Sequence, residues 1–285
     1  MGFRSQYTIR RPVTVVGTGY WSGRDIAVDL EPAPAGCGVV FVRGDRDVPV
    51  SIAATVHNRR DMPLRTTLVA GGAGVQMVEH LLSALAGLGV DACIVRVTAE
   101  ELPGLDGSSR GFVDAIDLAG LADLGQPADP LVVTETVRIE EGGGWIEASP
   151  PRHAGLSVEY ELDYGPGPIG RQSFALEITP ETYRESLASA RTFITLAEAE
   201  RLRGAGLCPA ATMQDLIVFG PDGPIDNCLR WPDECVRHKV LDLVGDLALV
   251  GRPLHAHVRA SRSGHRLNAA LAARLLDVCG RRASA

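Results

Sequence analysis

The same order of elements is written twice along this chain, and that repeat limits the fold more than any other feature of the sequence. In the first half, short β-type runs at 13–16, 26–30 and 38–42 lead to a helical apolar stripe at 78–89. A strand at 92–97 and a helix at 111–119 follow it. In the second half, runs at 131–139, 144–149, 156–162 and 172–178 lead to a helix from Asp233 and a strand at 255–260. Each half carries a histidine on its helix, and each helix ends in a glycine-punctuated apolar turn, Ala86-Gly87-Leu88-Gly89 and Leu249-Val250-Gly251. An ancient duplication accounts for the pattern and predicts an α+β protein of two similar domains, each a β-sheet with helices packed on it. At 285 residues and 45% hydrophobic the chain can bury two cores. The Pro- and Asp-rich stretch 121–130 reads as the linker, giving domains at 1–124 and 131–279. Residues 194–219 read as an inserted segment, with a helix-prone piece at 197–203, a Gly204-Ala205-Gly206 break and a strand-like end.

Chemistry concentrates on the two helices. His238 and Asp242 are four apart within the apolar pattern Val236, Val240, Leu241, Val244, Leu247, so both leave one helix face together. Alone, such a pair is more often a local hydrogen bond than a ligand set. The first helix, however, begins with an adjacent Glu79-His80 pair. Two histidines and one aspartate make up the ligand count of a catalytic zinc that keeps a fourth position for water. Glu79 is then left as a base for that water. Asp246 lies one turn beyond Asp242 and faces the same way, where it can hold a protonated histidine. His265 follows a Ser-Gly turn and is expected on a loop, where a surface role is the plain alternative. Of 28 basic residues only Lys239 is a lysine, and it lies between His238 and Asp242. A compact ammonium and a planar guanidinium are not interchangeable, so this site is expected to need the ammonium, with chance as the alternative.

Five motifs in sequence order carry a family resemblance: Val78-Glu79-His80-Leu81-Leu82-Ser83-Ala84-Leu85, Leu105-Asp106-Gly107-Ser108, Ser189-Ala190-Arg191-Thr192-Phe193, the run from Val236 to Leu247, and Ser263-Gly264-His265-Arg266-Leu267-Asn268. Together, over roughly Tyr7 to Asn268, they resemble the UDP-3-O-acyl-N-acetylglucosamine deacetylases of lipid A synthesis. The resemblance implies helices sandwiched between two sheets and a metal at the domain interface. His80, His238 and Asp242 would ligate Zn2+ and Glu79 would be the general base. His265, oriented by Asp246, would be the protonated partner, and Thr192 would hydrogen-bond the oxyanion. Lys239 and Arg262 would bring positive charge to the substrate, and Asp163, Tyr164 and Phe193 would contact it. The inserted segment would wall the passage for the fatty acyl chain. Four positions depart from the family pattern: Trp21 replaces a histidine in Gly17-Thr18-Gly19-Tyr20-Trp21-Ser22-Gly23, Ala210-Ala211 replaces Gly-Gly, and Gly165 follows Asp163-Tyr164. A deacetylase for another N-acetylated sugar would keep every catalytic group, and a non-catalytic nucleotide-sugar binder would not need them all.

Charge and cysteine usage set the remaining bounds. A net charge of −7 without a basic block argues against nucleic acid as partner. The six scattered cysteines and an opening without an apolar signal segment suggest reduced thiols in the cytoplasm. No run approaches the roughly 20 apolar residues of a bilayer span, so an acyl-bearing UDP-sugar would be taken from solution or from a membrane surface, by a monomer.

Overall fold

Period-two alternation builds both main sheets of the computed structural model, which describes residues 4–208, 212, 213 and 215–279. In the strand Asp25–Pro32, Ile26, Val28 and Leu30 are buried and the residues between them are not. This strand is second in a five-stranded sheet ordered Val13–Thr18, Asp25–Pro32, Cys93–Val97, Val39–Arg43, Val50–Ala53. The second half repeats the plan as Val137–Glu141, Gly144–Ser149, Leu254–Ser261, Leu156–Asp163, Arg171–Ile178, with Leu131–Val132 added beside Leu254. Counted along the chain within each half, the five strands lie in the order first, second, fifth, third, fourth. In both, only the third–fifth pairing is parallel.

The helices repeat as well. α1 (Glu79–Gly87) precedes the fifth strand of its half and α2 (Arg110–Ala119) follows it. After the short helices α3 (Pro180–Ser186) and α4 (Leu196–Gly204), α5 (Glu234–Leu247) and α6 (His265–Cys279) bracket the fifth strand of the second half in the same way. α1 is buried along its whole length except at Ala86, and α5 is buried nearly all round, as befits helices packed in the middle of a core. One apolar cluster joins Val28 and Leu30 of the first sheet, Leu81 of α1, Val240 of α5 and Val258 of the second sheet.

Three expectations are corrected. Residues 121–130 are not a free linker: Leu121–Pro127 is a strand paired antiparallel with Ser5–Ile9. The N-terminal strand satisfies its backbone groups, while its Asp, Gly, Gln and Pro side chains carry no strand signal. The run 131–139 divides into Leu131–Val132 and Val137–Glu141, each on a different neighbour. His265 is not on a loop but opens α6. The other boundaries shift by a residue or two. In the inserted segment, Phe193–Thr195 pairs in parallel with Ile217–Gly220, and α4 between them starts at a capping box formed by Thr195 and Glu198. Ala210 and Ala211 lie outside the described residues. All six cysteines are free. Among the described residues no helix is long and apolar enough to cross a membrane.

Candidate metal centre

The site exists because α1 and α5 touch. Gly245 faces the backbone of Glu79, and any Cβ there would run into the Glu79 carbonyl oxygen. Ser83 Oγ of α1 donates to the Leu241 carbonyl of α5 at 2.7 Å, and Tyr183 Oη donates to Ser83 Oγ at 2.8 Å. This contact brings His80, at the start of α1, against His238 and Asp242 on one face of α5. Ligand atoms of all three lie within 4.8 Å of one another, and all three residues are buried. His80 Nε2 and His238 Nε2 are 3.6 and 3.3 Å from the same oxygen, Asp242 Oδ1. His238 Nδ1 lies 3.1 Å from the Ala190 carbonyl, so the proton belongs on Nδ1 and Nε2 turns its lone pair to the cluster.

A cation fits this donor set. Asp242 Oδ1 is buried without a hydrogen-bond partner, while Oδ2 accepts from Lys239 Nζ at 2.6 Å. A buried acceptor left bare costs about 1–3 kcal/mol, and one aimed between two imidazole nitrogens is placed for a shared ion. Protonation agrees. Burial pushes His238 down to about 3 despite Asp242, so the ring stays neutral as a ligand must. Burial alone would raise Asp242, yet His238 and Lys239 hold it well below the usual carboxylate range.

A second group of side chains stands beside the first. Glu79 is buried and accepts the Thr66 N–H at 3.0 Å; desolvation raises its pKa against the pull of His265. Thr66 also donates its hydroxyl to Asp246 Oδ1 at 2.5 Å. Asp246 Oδ2 receives His265 Nδ1 and Asn268 Nδ2, both at 2.9 Å. Burial would lower His265, but the Asp246 carboxylate outweighs it and holds the imidazolium up to about 9. One threonine therefore binds both carboxylates, and nothing in the sequence marked it.

The cavity above these groups measures about 680 Å³, and its wall includes Glu79, His80, Thr192, Phe193, His238, Lys239, Asp242 and His265 together with Tyr164 and Arg262. Thr192 sits on the Leu105-Asp106-Gly107-Ser108 loop: its N–H and Oγ1 both meet the Gly107 carbonyl, at 2.8 and 3.0 Å, and Oγ1 is 3.2 Å from His238 Nε2. Gly107 has φ +79, and a Cβ there would meet the Asp215 carbonyl at 2.5 Å, which explains the glycine. Just before Thr192, Arg191 is paired in the interior with Glu234, which opens α5 and is fully buried (Nε to Oε1, 2.8 Å). That pair fastens the segment carrying Thr192 to the helix carrying two of the three candidate ligands. Tyr164 leans on Phe193 with ring centroids 5.5 Å apart, and Lys239 Nζ lies 5.8 Å above the Phe193 ring. Asp246 lies behind His265, outside the wall. Asp163 is outside it too, engaged by Arg171 at 2.8 Å and by the Gly165 N–H at 2.9 Å.

Known proteins resemble this chain along nearly its whole length. The family model for LpxC, UDP-3-O-acyl N-acetylglycosamine deacetylase, matches residues 6–277. Proteins of Brucella ovis, Brucella canis and Brucella suis, each named UDP-3-O-acyl-N-acetylglucosamine deacetylase, are 39% identical to this chain over 274 residues, 95% of this chain and 95% of each of theirs.

Proposed function

This chain belongs to the UDP-3-O-acyl-N-acetylglucosamine deacetylase family, and from that membership we propose that it hydrolyses the acetamide of such a nucleotide sugar, in lipid A synthesis, with zinc held by His80, His238 and Asp242. The observation that carries the reading is Asp242 Oδ1, buried and unpartnered between two imidazole nitrogens at the floor of the cavity. Bound there, zinc supplies a Lewis acid that polarises the acetyl carbonyl and acidifies water.

The chain's own groups do the rest. Glu79, its carboxylate made more basic by burial and steadied by the Thr66 N–H, takes the proton from the attacking water. As the C–N bond breaks, the His265 imidazolium gives a proton to the departing amine, leaving acetate and a free glucosamine amine. Asp246 keeps that ring charged and correctly turned. Thr192 offers its hydroxyl to the developing oxyanion in place of the Gly107 carbonyl. Lys239 holds Asp242 ionised through Oδ2 and, with Arg262, brings positive charge to the nucleotide end, where Phe193 and Tyr164 present rings.

Two α+β domains share the site, the first carrying Glu79 and His80 and extended past residue 124 by the strand Leu121–Pro127, the second, 131–279, carrying His238, Asp242 and His265, and the chain acts as a monomer in the cytoplasm. Leu64, 58% exposed and part of the cavity wall, suits brief contact with a membrane surface from which an acylated substrate is drawn. A second reading, deacetylation of a different N-acetylated sugar, is favoured by one observation: Asp163 is bound to Arg171 away from the cavity. Assaying acetate release from UDP-N-acetylglucosamine with and without a 3-O-acyl group, beside other N-acetylated sugars, separates the two. Turnover of the acylated nucleotide sugar supports the first reading, and turnover only of the others supports the second.

A further inference from the structure

A buried arginine joins the apolar end of the cavity to the carboxylates Glu79 and Asp246. Trp21 belongs to the cavity wall, alongside the apolar group of Tyr20, Met77, Leu216 and Val218. Arg65 is not in that wall: it backs the indole, its guanidinium carbon 3.8 Å from the ring centroid, and is only 9% exposed. Neither partner is loose. Glu101 accepts the N–H groups of Trp21 and Ser22 at 3.1 and 2.7 Å, and Arg65 Nε donates to Gln76 Oε1 at 2.6 Å. Burial lowers the pKa of Arg65 against the pull of Glu79.

The next residue is Thr66, whose N–H holds Glu79 and whose hydroxyl holds Asp246. A push on the indole therefore reaches both carboxylates across one stacked contact and one peptide bond. Resting on the functional reading above, we propose that the Trp21-Arg65-Thr66 relay makes occupancy of the apolar compartment by the acyl chain set the positions of Glu79 and Asp246, so that the chain raises kcat and not only affinity. Binding energy from a part of the substrate remote from the reacting bond is then spent on orientation in the transition state. Arg65 is a positioning residue: it touches neither the reacting atoms nor the cavity.

The test is a split of kcat and KM over UDP-N-acetylglucosamine carrying no, short, medium and long 3-O-acyl groups. Wild type, Arg65→Leu and Trp21→Leu are compared with zinc loaded. In the wild-type enzyme kcat should rise with chain length by up to the order of 10²-fold, the scale on which small displacements of catalytic groups act. KM should fall by about fourfold per buried methylene. In Arg65→Leu the KM gradient should persist while the kcat gradient collapses to below about tenfold. Trp21→Leu, which leaves residues 65 and 66 in place, should flatten kcat in the same way. A kcat gradient in both variants equal to that of wild type, or a uniform loss of kcat at every length, would overturn the relay alone. A wild-type enzyme that turns over none of the series would overturn the functional reading and the relay with it.

Discussion

Replacing Asp246 by Asn tests the charge logic of the site with an isosteric change. Asp246 is fully buried and accepts from Thr66, His265 and Asn268, so its charge is compensated chiefly by His265. In the metal-free protein the His265 pKa stands at about 9 against an ordinary value of 6.5, although burial opposes the shift. At about 1.4 kcal/mol per pH unit, that gap corresponds to about 3 kcal/mol of interaction with the imidazolium. Because the folded-state value is raised, this stability is fully present below pH 6.5 and is lost as pH rises through about 9. Asp246→Asn removes the countercharge and leaves the burial, so His265 should titrate at or below 6.5. The unmatched amide protons of Asn also cost stability at every pH, so the informative quantity is pH dependence, not absolute stability. Urea unfolding of wild type and variant near pH 6 and pH 10, with an NMR titration of His265, gives it directly. Wild type should lose about 3 kcal/mol more than the variant over that interval. An equal pH dependence in the two proteins, or a wild-type His265 titrating near 6.5, would refute the assignment of its charge to Asp246.

Other substitutions should separate the roles of neighbouring groups. His238→Ala should remove most of the metal, read by metal analysis against about one ion per chain in the wild type. Glu79→Ala and His265→Ala should keep the metal and lower deacetylation by roughly 10²-fold or more, since positioned acid-base groups contribute on that scale. Lys239→Arg conserves charge but cannot place a compact ammonium 2.6 Å from Asp242 Oδ2, so activity should fall substantially while the fold, followed by circular dichroism, stays intact. Gly245→Ala should drive α1 from α5, costing about 1–3 kcal/mol in denaturant unfolding and weakening metal binding together.

Much of the site could be read from the sequence because its chemistry is local to two helices. His238, Asp242 and Asp246 share a face by spacing alone, and Glu79-His80 opens the other apolar stripe. The strands of the two repeated sheets could be read from their β-type runs, Val50–Ala53 excepted. What escaped depends on partners far along the chain. Thr66 is an unremarked polar residue until Asp246, 180 positions away, reaches its hydroxyl. Gly245 has meaning only once Glu79 lies against it, and Leu121–Pro127 becomes a strand only because Ser5–Ile9 supplies the pairing. α6 was different, since Leu267, Leu271 and Leu275 recur every four residues, a signal overshadowed by the Ser-Gly turn before His265. Arg65 behind Trp21 illustrates the same limit: a charge inside an apolar wall is visible only when the wall is assembled.

In the proposed mechanism acetamide hydrolysis depends on an ion held by His80, His238 and Asp242. That dependence is tested most directly by stripping the purified protein with a chelator and measuring acetate release from UDP-3-O-acyl-N-acetylglucosamine as zinc is returned. Turnover should vanish in the stripped enzyme and return in proportion to zinc up to about one ion per chain, with no such return in His238→Ala. Undiminished turnover by the stripped enzyme, or restoration by zinc of His238→Ala to the wild-type rate, would contradict it.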